Sequence, residues 1–487
     1  MKKKILLHAA ALWIICSINT AKAQLTLISP YNNYNSVLSM LQNPACISNS
    51  SLIAQINLST LDVNIGNTAF EIKRTALFKA DTYKRNIKED VDYFRITNKT
   101  RYDAWANVDI VGPSFAANLG KENAIGVYTR LRSITNANHV NDRALDLITK
   151  DIQTVNNYDI KNIRSQTHVF GEVGITYSHA FLEDLERIWK LGVTAKYMLG
   201  IGAFALHTTN TIISYKPTRD RFKTLTGDAR IVYSKDIGTL NVDNLKIADL
   251  FKNNVGSNVG FGVDVGVAYE WRPEAMPKKY LHIENGVGEQ GHSYVLRMEL
   301  SVTDIGFIHY KAGVASGNYN LTGTNKAENI FSKLTNETLD EYVNRLNTAG
   351  MINATKSISQ FRMNLPMAAH ANVDWQIYPS FYINANALIN LVSKNGSKEG
   401  AYYPTTFSFA PRFETRWFTT FLSTSYNEFN NFNAGIGMQV GSLLIGSTSI
   451  ISNLLKNNIR SLDVFIGLNF PIYKKRQRLY CYSNNMQ

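Results

Sequence analysis

"SLDVFIGLNF" occupies residues 461–470. Leu462, Val464, Ile466, Leu468 and Phe470 alternate with Ser461, Asp463, Phe465, Gly467 and Asn469, so one set is wholly apolar and the other mostly small or polar. Successive side chains of an extended chain point to opposite faces, so a period of two marks a strand that separates two unlike media. The identity of those media decides the fold.

The same period recurs along the chain. In "AIGVYTRLRSI", 124–134, Ile125, Val127, Thr129 and Leu131 oppose Tyr128, Arg130 and Arg132. In "VFGEVGITYSH", 169–179, Val173, Ile175 and Tyr177 oppose Glu172, Gly174 and Thr176. "KLGVTAKYMLGIGA", 190–203, places Lys196 opposite Val193 and Tyr197, and "VGFGVDVGVAYEW", 259–271, places Asp264 opposite Val263 and Val265. "YVLRMELSV", 294–302, sets Arg297 and Glu299 against Tyr294, Leu296 and Met298. "MAAHANVDWQI", 367–377, sets His370 and Asp374 against Val373 and Trp375, and the series continues through 381–391, 406–417 and 432–441. Strands of about 9–11 residues cross a bilayer when tilted, whereas an average soluble strand has about 5–6.

The polar faces combine charges with many glycines, which weaken a long solvent-exposed strand but make room inside a crowded barrel. Trp105, Trp189, Trp271, Trp375 and Trp417 stand at or near the ends of alternating segments, where a membrane barrel carries its aromatic girdles. The reading is therefore all-β: a transmembrane antiparallel β-barrel of about 14 strands, within a range of 14–18. Its outer face meets lipid. The expected lumen-facing side chains are Arg130, Arg132, Glu172, Lys196, Asp264, Arg297, Glu299, His370, Asp374, Arg412 and Glu414.

The ends agree with export. "MKKKILLHAAALWIICSINTAKAQ" has a basic start, an apolar stretch and a small-residue cleavage site at 21–23, so residues 1–23 read as a signal peptide. Ile15 is too bulky to favour lipidation of Cys16. Loss of Lys2, Lys3, Lys4 and Lys22 with the leader takes the formal charge from +13 to +9. No basic run is interleaved with aromatics, so nucleic acid is not an expected partner. Cys46 and Cys481 remain, and the sequence leaves open whether they pair. No Cys/His spacing suits a metal, and no apolar run after residue 23 is long enough for a membrane helix.

Residues 24–51 are irregular and read as a segment near or inside the lumen, ahead of a barrel at 52–472 and a basic tail at 473–487. The alternation slips near Ser59-Thr60, which predicts a bulge. Insertions are expected near 79–104, 217–255 and 316–356, with short amphipathic helices in 327–347. No nucleophile elbow, phosphate loop or catalytic carboxylate pair is present, so neither an enzyme nor a cofactor is expected.

Taken together, "QNPA" at 42–45, "KLGVTAKYMLGIGA", "GFGVDVGVAY", "LSVTDIGFI" at 300–308, "LPMAAHANVDW" at 365–375 and "GLNFPI" at 467–472 resemble a Bacteroidota outer-membrane family of unknown function. That family is similar to FadL-type long-chain fatty-acid transporters and to PorV/PorP-like barrels of type IX secretion. The resemblance implies an outer-membrane barrel that passes a small, poorly soluble compound. The alternative it implies is a structural or secretion-associated barrel whose loops bind a protein partner. It supplies no binding residues, because the matching motifs are structural.

Overall fold

In a computed structural model, fourteen antiparallel strands close into one barrel. It describes residues 32–473 apart from 79–91, 97–98, 143, 146–155, 183–185, 217–220, 240–256, 274–282, 285–286, 289–293, 327–336, 394–398 and 430. The expected signal peptide, Cys481 and nearly all of the basic tail lie outside the described residues.

The barrel strands are β1 (Leu52–Asn67), β2 (Arg101–Val111, continued as Ser114–Leu119), β3 (Asn123–Asn141), β4 (Arg164–Leu182) and β5 (Arg187–Lys216). They continue as β6 (Val259–Trp271), β7 (Leu296–Lys311), β8 (Ala368–Tyr378), β9 (Phe381–Asn390) and β10 (Thr406–Glu414). The last are β11 (Phe418–Asn427), β12 (Asn431–Val440), β13 (Leu443–Ser447) and β14 (Ser461–Tyr473). Each pairs with its successor, and β14 returns to β1 from Leu52↔Tyr473 to Gly66↔Ser461. The ring therefore has no free edge strand, as a bilayer requires of a sheet. The register of β1 against β14 shifts between Asn57 and Ser59, where the alternation slips. The N-terminal part of the expected 79–104 insertion is outside the described residues, while Arg101–Ala104 already belong to β2.

Period two becomes inside and outside. On β14, Ile466, Leu468 and Phe470 are exposed outward while Asp463, Phe465 and Asn469 are buried inward. On β6, Phe261 is 68% exposed and Asp264 is fully buried. The exposed apolar positions form a band, from Val173 to Phe181 on β4 and from Trp189 to Tyr197 on β5. Nine such residues at roughly 3.3 Å each, tilted by about 40°, rise about 23 Å, close to the apolar height of outer-membrane barrels. Trp189, Trp271, Trp375, Tyr378, Trp417 and Phe418 ring one end of the band, and Phe261, Phe407, Tyr426 and Phe432 mark the other.

Two expected facings change. Trp105 points inward, 2% exposed, where it stacks on Phe429 at 5.0 Å and donates to Asn64 Oδ1. It sits above the band on the inward phase of β2, so it is no girdle residue. Tyr294 precedes the start of β7 and is also buried, because its hydroxyl lies inside the barrel, 2.6 Å from both Asn33 Oδ1 and Asp374 Oδ2.

The two ends differ. At the end that carries Leu52 and Tyr473, most turns are short, such as Pro379–Ser380 between β8 and β9 and Gly441–Ser442 between β12 and β13; the exception is the connection 272–295 between β6 and β7. The opposite end carries the insertions. There β5 runs far beyond the band and pairs with the strand Arg221–Tyr233, which pairs in turn with Gly317–Leu321 and then with Ile352–Ser357. In the 316–356 insertion the helix is Leu339–Thr348, held at its start by a Thr338–Glu341 capping box. Its Val343 and Leu346 pack into this raised sheet. The rest of 327–347, up to 336, lies outside the described residues.

Replacing outward Val265 by Arg places a charge in the middle of the band and should cost about 2–4 kcal/mol of folding stability in vesicles. Urea-dependent folding into lipid vesicles measures it. An unchanged midpoint for Val265→Arg would mean that this face does not meet hydrocarbon.

Candidate functional site

The barrel interior is filled from both ends. From the short-turn end, residues 32–51 rise into the lumen as a helix at Ser36–Met40, turn, and descend through the short helix Pro44–Ile47 to β1. Asn35 and Asn43 cap the two helices through their side chains, which suits asparagine at a helix start. One side of the segment is apolar: Val37, Leu38, Met40 and Ile47 pack with Val111, Tyr128, Phe421, Leu444 and Phe465 of the wall. The other side is held by hydrogen bonds. Val37 N donates to Gln55 Oε1 (2.8 Å), Gln55 Nε2 to Tyr34 O (3.0 Å), and Asn33 N to Glu414 Oε2 (3.1 Å). Asn43 Nδ2 reaches Val267 O (3.1 Å), while Ser178 Oγ donates to Ala45 O (3.0 Å).

Glycine on the wall permits this approach. A Cβ on Gly192 would stand 2.3 Å from Ala45 N, and one on Gly266 would stand 2.0 Å from Asn43 Oδ1. The "QNPA" stretch thus lies against bare backbone.

The charged residues of the inner wall gather into two clusters, one above this segment and one beside its start near Asn33. In the first, Arg132 grips Asp304 with both guanidinium nitrogens, Nη1 to Oδ2 at 2.6 Å and Nη2 to Oδ1 at 2.8 Å. Arg132 also donates to Glu172 Oε2 (2.5 Å), and Arg130 bridges Asp109 and Glu172. Lys196 Nζ lies 2.8 Å from Asp264 and 2.7 Å from Asp304, and Asp304 N donates to Asp264 Oδ1 (2.7 Å). The second cluster centres on Asp374, which receives Arg412 Nη2 (2.9 Å), Asn384 Nδ2 (3.1 Å) and Tyr294 OH. Arg412 Nε lies 2.8 Å from Glu414 Oε2, and Arg297 Nε lies 2.7 Å from Glu299 Oε1. His370 Nε2 stands 3.0 Å from Thr303 Oγ1.

The eleven side chains named from the sequence are buried or half-buried and meet chiefly one another; Glu414 also accepts from Asn33 N, and Glu299 hydrogen-bonds Cys46. A third group, Lys190 with Glu270 and Arg272, sits at the short-turn mouth beside Asn33, Cys46 and Arg297. Sequence reading missed Asp109 and Asp304. Asp109 belongs to an alternating run, "ANVDIV", that lay at the edge of a presumed insertion. Asp304 is hidden by a bulge: Thr303 and Asp304 both point inward, the register shifts opposite Val263/Val265, and Asp304 takes φ +62°.

From the opposite end, the chain ahead of β10 folds back into the barrel. Tyr402 N donates to Asn136 Oδ1 (2.8 Å) and Asn136 Nδ2 to Tyr402 O (3.0 Å), a reciprocal pair against β3. Tyr402 OH donates to Asn138 Oδ1 (2.6 Å), and Arg132 Nη1 reaches Tyr403 OH (3.4 Å). Ala401 and Tyr403 complete an apolar layer with Ile134, Phe170, Met198, Tyr310, Phe361 and Met363. Nothing in the alternation announces this inward loop.

A family model described as a family of unknown function (DUF5723) matches residues 44–447. No curated protein matches the chain. Among solved structures it is similar to a TodX monoaromatic hydrocarbon channel carrying a deltaS2 mutation, at 8% identity and TM-score 0.41, over 91% of this chain and 95% of that one. It is similar to a Pseudomonas aeruginosa FadL homologue at 10% identity and TM-score 0.35, over 92% and 93%. The translocator domain of the autotransporter NalP from Neisseria meningitidis gives 6% identity and TM-score 0.33, over 97% and 99%.

Asp304 neutralises two buried cations at once, so its removal leaves Arg132 and Lys196 short of a partner. Breaking a buried pair on one side costs about 3–5 kcal/mol. Asp304→Ala should lose that much in urea-dependent folding, and a loss below about 1 kcal/mol would show that the cluster is solvated and carries little.

Proposed function

We propose, for a chain that belongs to the DUF5723 family of unknown function, that it is an outer-membrane barrel which passes a small, poorly soluble compound through a lumen closed at rest. The observation that carries the membrane reading is the outer band: apolar side chains all round a closed ring, bounded by aromatic rows and of bilayer height. The leader read in residues 1–23 directs the chain out of the cytoplasm. Apart from the 272–295 connection, the turns at one end are short, and the several long insertions at the other orient it with the insertions outward.

The transport reading rests on how the lumen is closed. Residues 32–51 touch the wall through side chains, single backbone groups and an apolar patch, with no strand pairing to it among the described residues. The loop around Tyr402 is held in the same manner. Both can leave without opening the sheet. The reading is non-enzymatic, since the carboxylates of the two lumen clusters are committed to arginine and lysine. A second reading is favoured by the raised sheet. Ile352–Ser357 is its outermost described strand, with Asn353 to Ser357 exposed, and it offers a partner protein an edge.

Planar-bilayer conductance decides between them. Deleting 32–50 alone, or replacing 399–405 by a short Gly-Ser link alone, should leave conductance near the low value of the intact protein, because each leaves the other closure in place. The double variant should conduct. A double variant that keeps heat-modifiable mobility on gels yet stays silent would overturn the transport reading; loss of a co-purifying protein on removing 337–357 would then support the second.

A further inference from the structure

The wall between β12 and β14 is completed by a strand over only half its height. β13 pairs with β12 from Val440↔Leu443 to Ile436↔Ser447, which leaves residues 431–435 of β12 with no strand on that flank. On its other side β13 meets β14 only from Leu443↔Leu468 to Gly446↔Phe465. The helix Ile450–Leu455 takes the place of the missing half-strand. Two strand spacings are about 9.6 Å and a helix with its side chains is about 10 Å across, so the helix fits the notch. Its attachments are side-chain ones. Ala434 N donates to Ser452 Oγ (2.7 Å), Asn453 Nδ2 to Ser461 O (3.0 Å), and Lys456 Nζ to Phe432 O (3.5 Å). Asp463 secures the turn before the helix by accepting from Ser447 Oγ, Thr448 Oγ1, Thr448 N and Ser449 Oγ.

The helix leaves Leu454 53% and Leu455 81% exposed, the latter the highest value of any large apolar side chain among the described residues. They stand beside Phe432, in the aromatic row that bounds the band toward the insertions. Immediately beyond is a small sheet of Phe70–Lys73, Tyr93–Arg95 and Asn458–Ile459. Its end is basic. Arg74 Nη1 donates to Leu454 O and Arg74 N to Asn457 O (2.9 Å), which fixes this cation over the helix C-terminus. Lys73 and Lys456 flank it, while Arg460 is paired with Glu71. Among the described residues, Lys73, Arg74 and Lys456 form no ion pair.

An apolar tip at the rim of the band, with three cations just above it, matches an amphiphile that has both acyl chains and an anionic headgroup. We infer that this notch binds a phosphorylated glycolipid of the outer leaflet. The chains lie on Leu454, Leu455 and Phe432, and the phosphate meets Arg74, Lys456 and Lys73. The inference rests on the membrane reading, with the insertions outward. A zwitterionic lipid offers the chains without net charge and a free phosphate offers charge without chains, so recognition needs both parts.

The test uses native mass spectrometry of the detergent-solubilised full barrel with lipid A as the probe. The protein should retain lipid A in preference to phosphatidylcholine, and neither dephosphorylated lipid A nor inorganic phosphate should replace it. Arg74→Ala combined with Lys456→Ala should lower the lipid-A-bound fraction about tenfold or more, as should Leu454→Ser combined with Leu455→Ser. Lys356→Ala, on the exposed strand Ile352–Ser357, should leave it unchanged. Equal retention of phosphatidylcholine, displacement by inorganic phosphate, or full binding by the Arg74/Lys456 variant would overturn the inference. Heat-modifiable mobility verifies that each variant is folded. A failure of the membrane reading shows separately, as a protein that stays dispersed without detergent.

Discussion

A sheet in hydrocarbon must hydrogen-bond its backbone groups internally, and here that demand is met by the pairing of the first barrel strand with the last, with side chains of the helix Ile450–Leu455 serving where β13 stops short. Everything else follows from this closure. Once the ring is shut, each strand has one face toward the lipid and one toward a confined space, and the period of two along the sequence becomes a sorting of side chains between them. The outward side chains need only be apolar. The inward ones must fill a volume, and the charges among them must find each other.

They do so in layers. Asp304, held at φ +62° by a bulge in β7, draws Arg132 from β3 and Lys196 from β5 to one point inside the barrel. Asp374 on β8 does the same for Arg412 on β10 and for Tyr294. Desolvating such groups is costly, and their mutual contacts offset that cost only while the set is complete. The clusters therefore brace neighbouring strands across the interior and make the lumen an all-or-none arrangement. Below the first of them and beside the second, residues 32–51 fit against Gly192 and Gly266, where any larger residue would collide with the chain.

The strands and their facing were largely legible because alternation is a local signal: Val265 and Asp264 are neighbours in sequence, and their opposite character shows at once. Partnership was not legible, because it joins distant positions; Arg132 and Asp304 stand 172 residues apart. The residues misread lie where the period breaks or a strand ends. Asp304 sits on a phase slip, Tyr294 ahead of its strand, and Trp105 above the band. The inward loop at Tyr402 has no period at all, and its hold on Asn136 depends on a strand 266 residues earlier. The half-strand β13 is not among the alternating segments read from the sequence, and nothing in "LLIGS" reports that a helix will complete the wall.

The central claim is that one face of each strand meets lipid and the other a packed, charged interior. Single nitroxide labels at successive positions from 261 to 267 on β6, in lipid vesicles, test it most directly. Power saturation by oxygen, which concentrates in hydrocarbon, should be high at 261, 263, 265 and 267, while a water-soluble nickel complex should reach none of them. The interior positions 262, 264 and 266 should be shielded from both. A nickel effect on the odd positions, or accessibility without a period of two, would contradict the account.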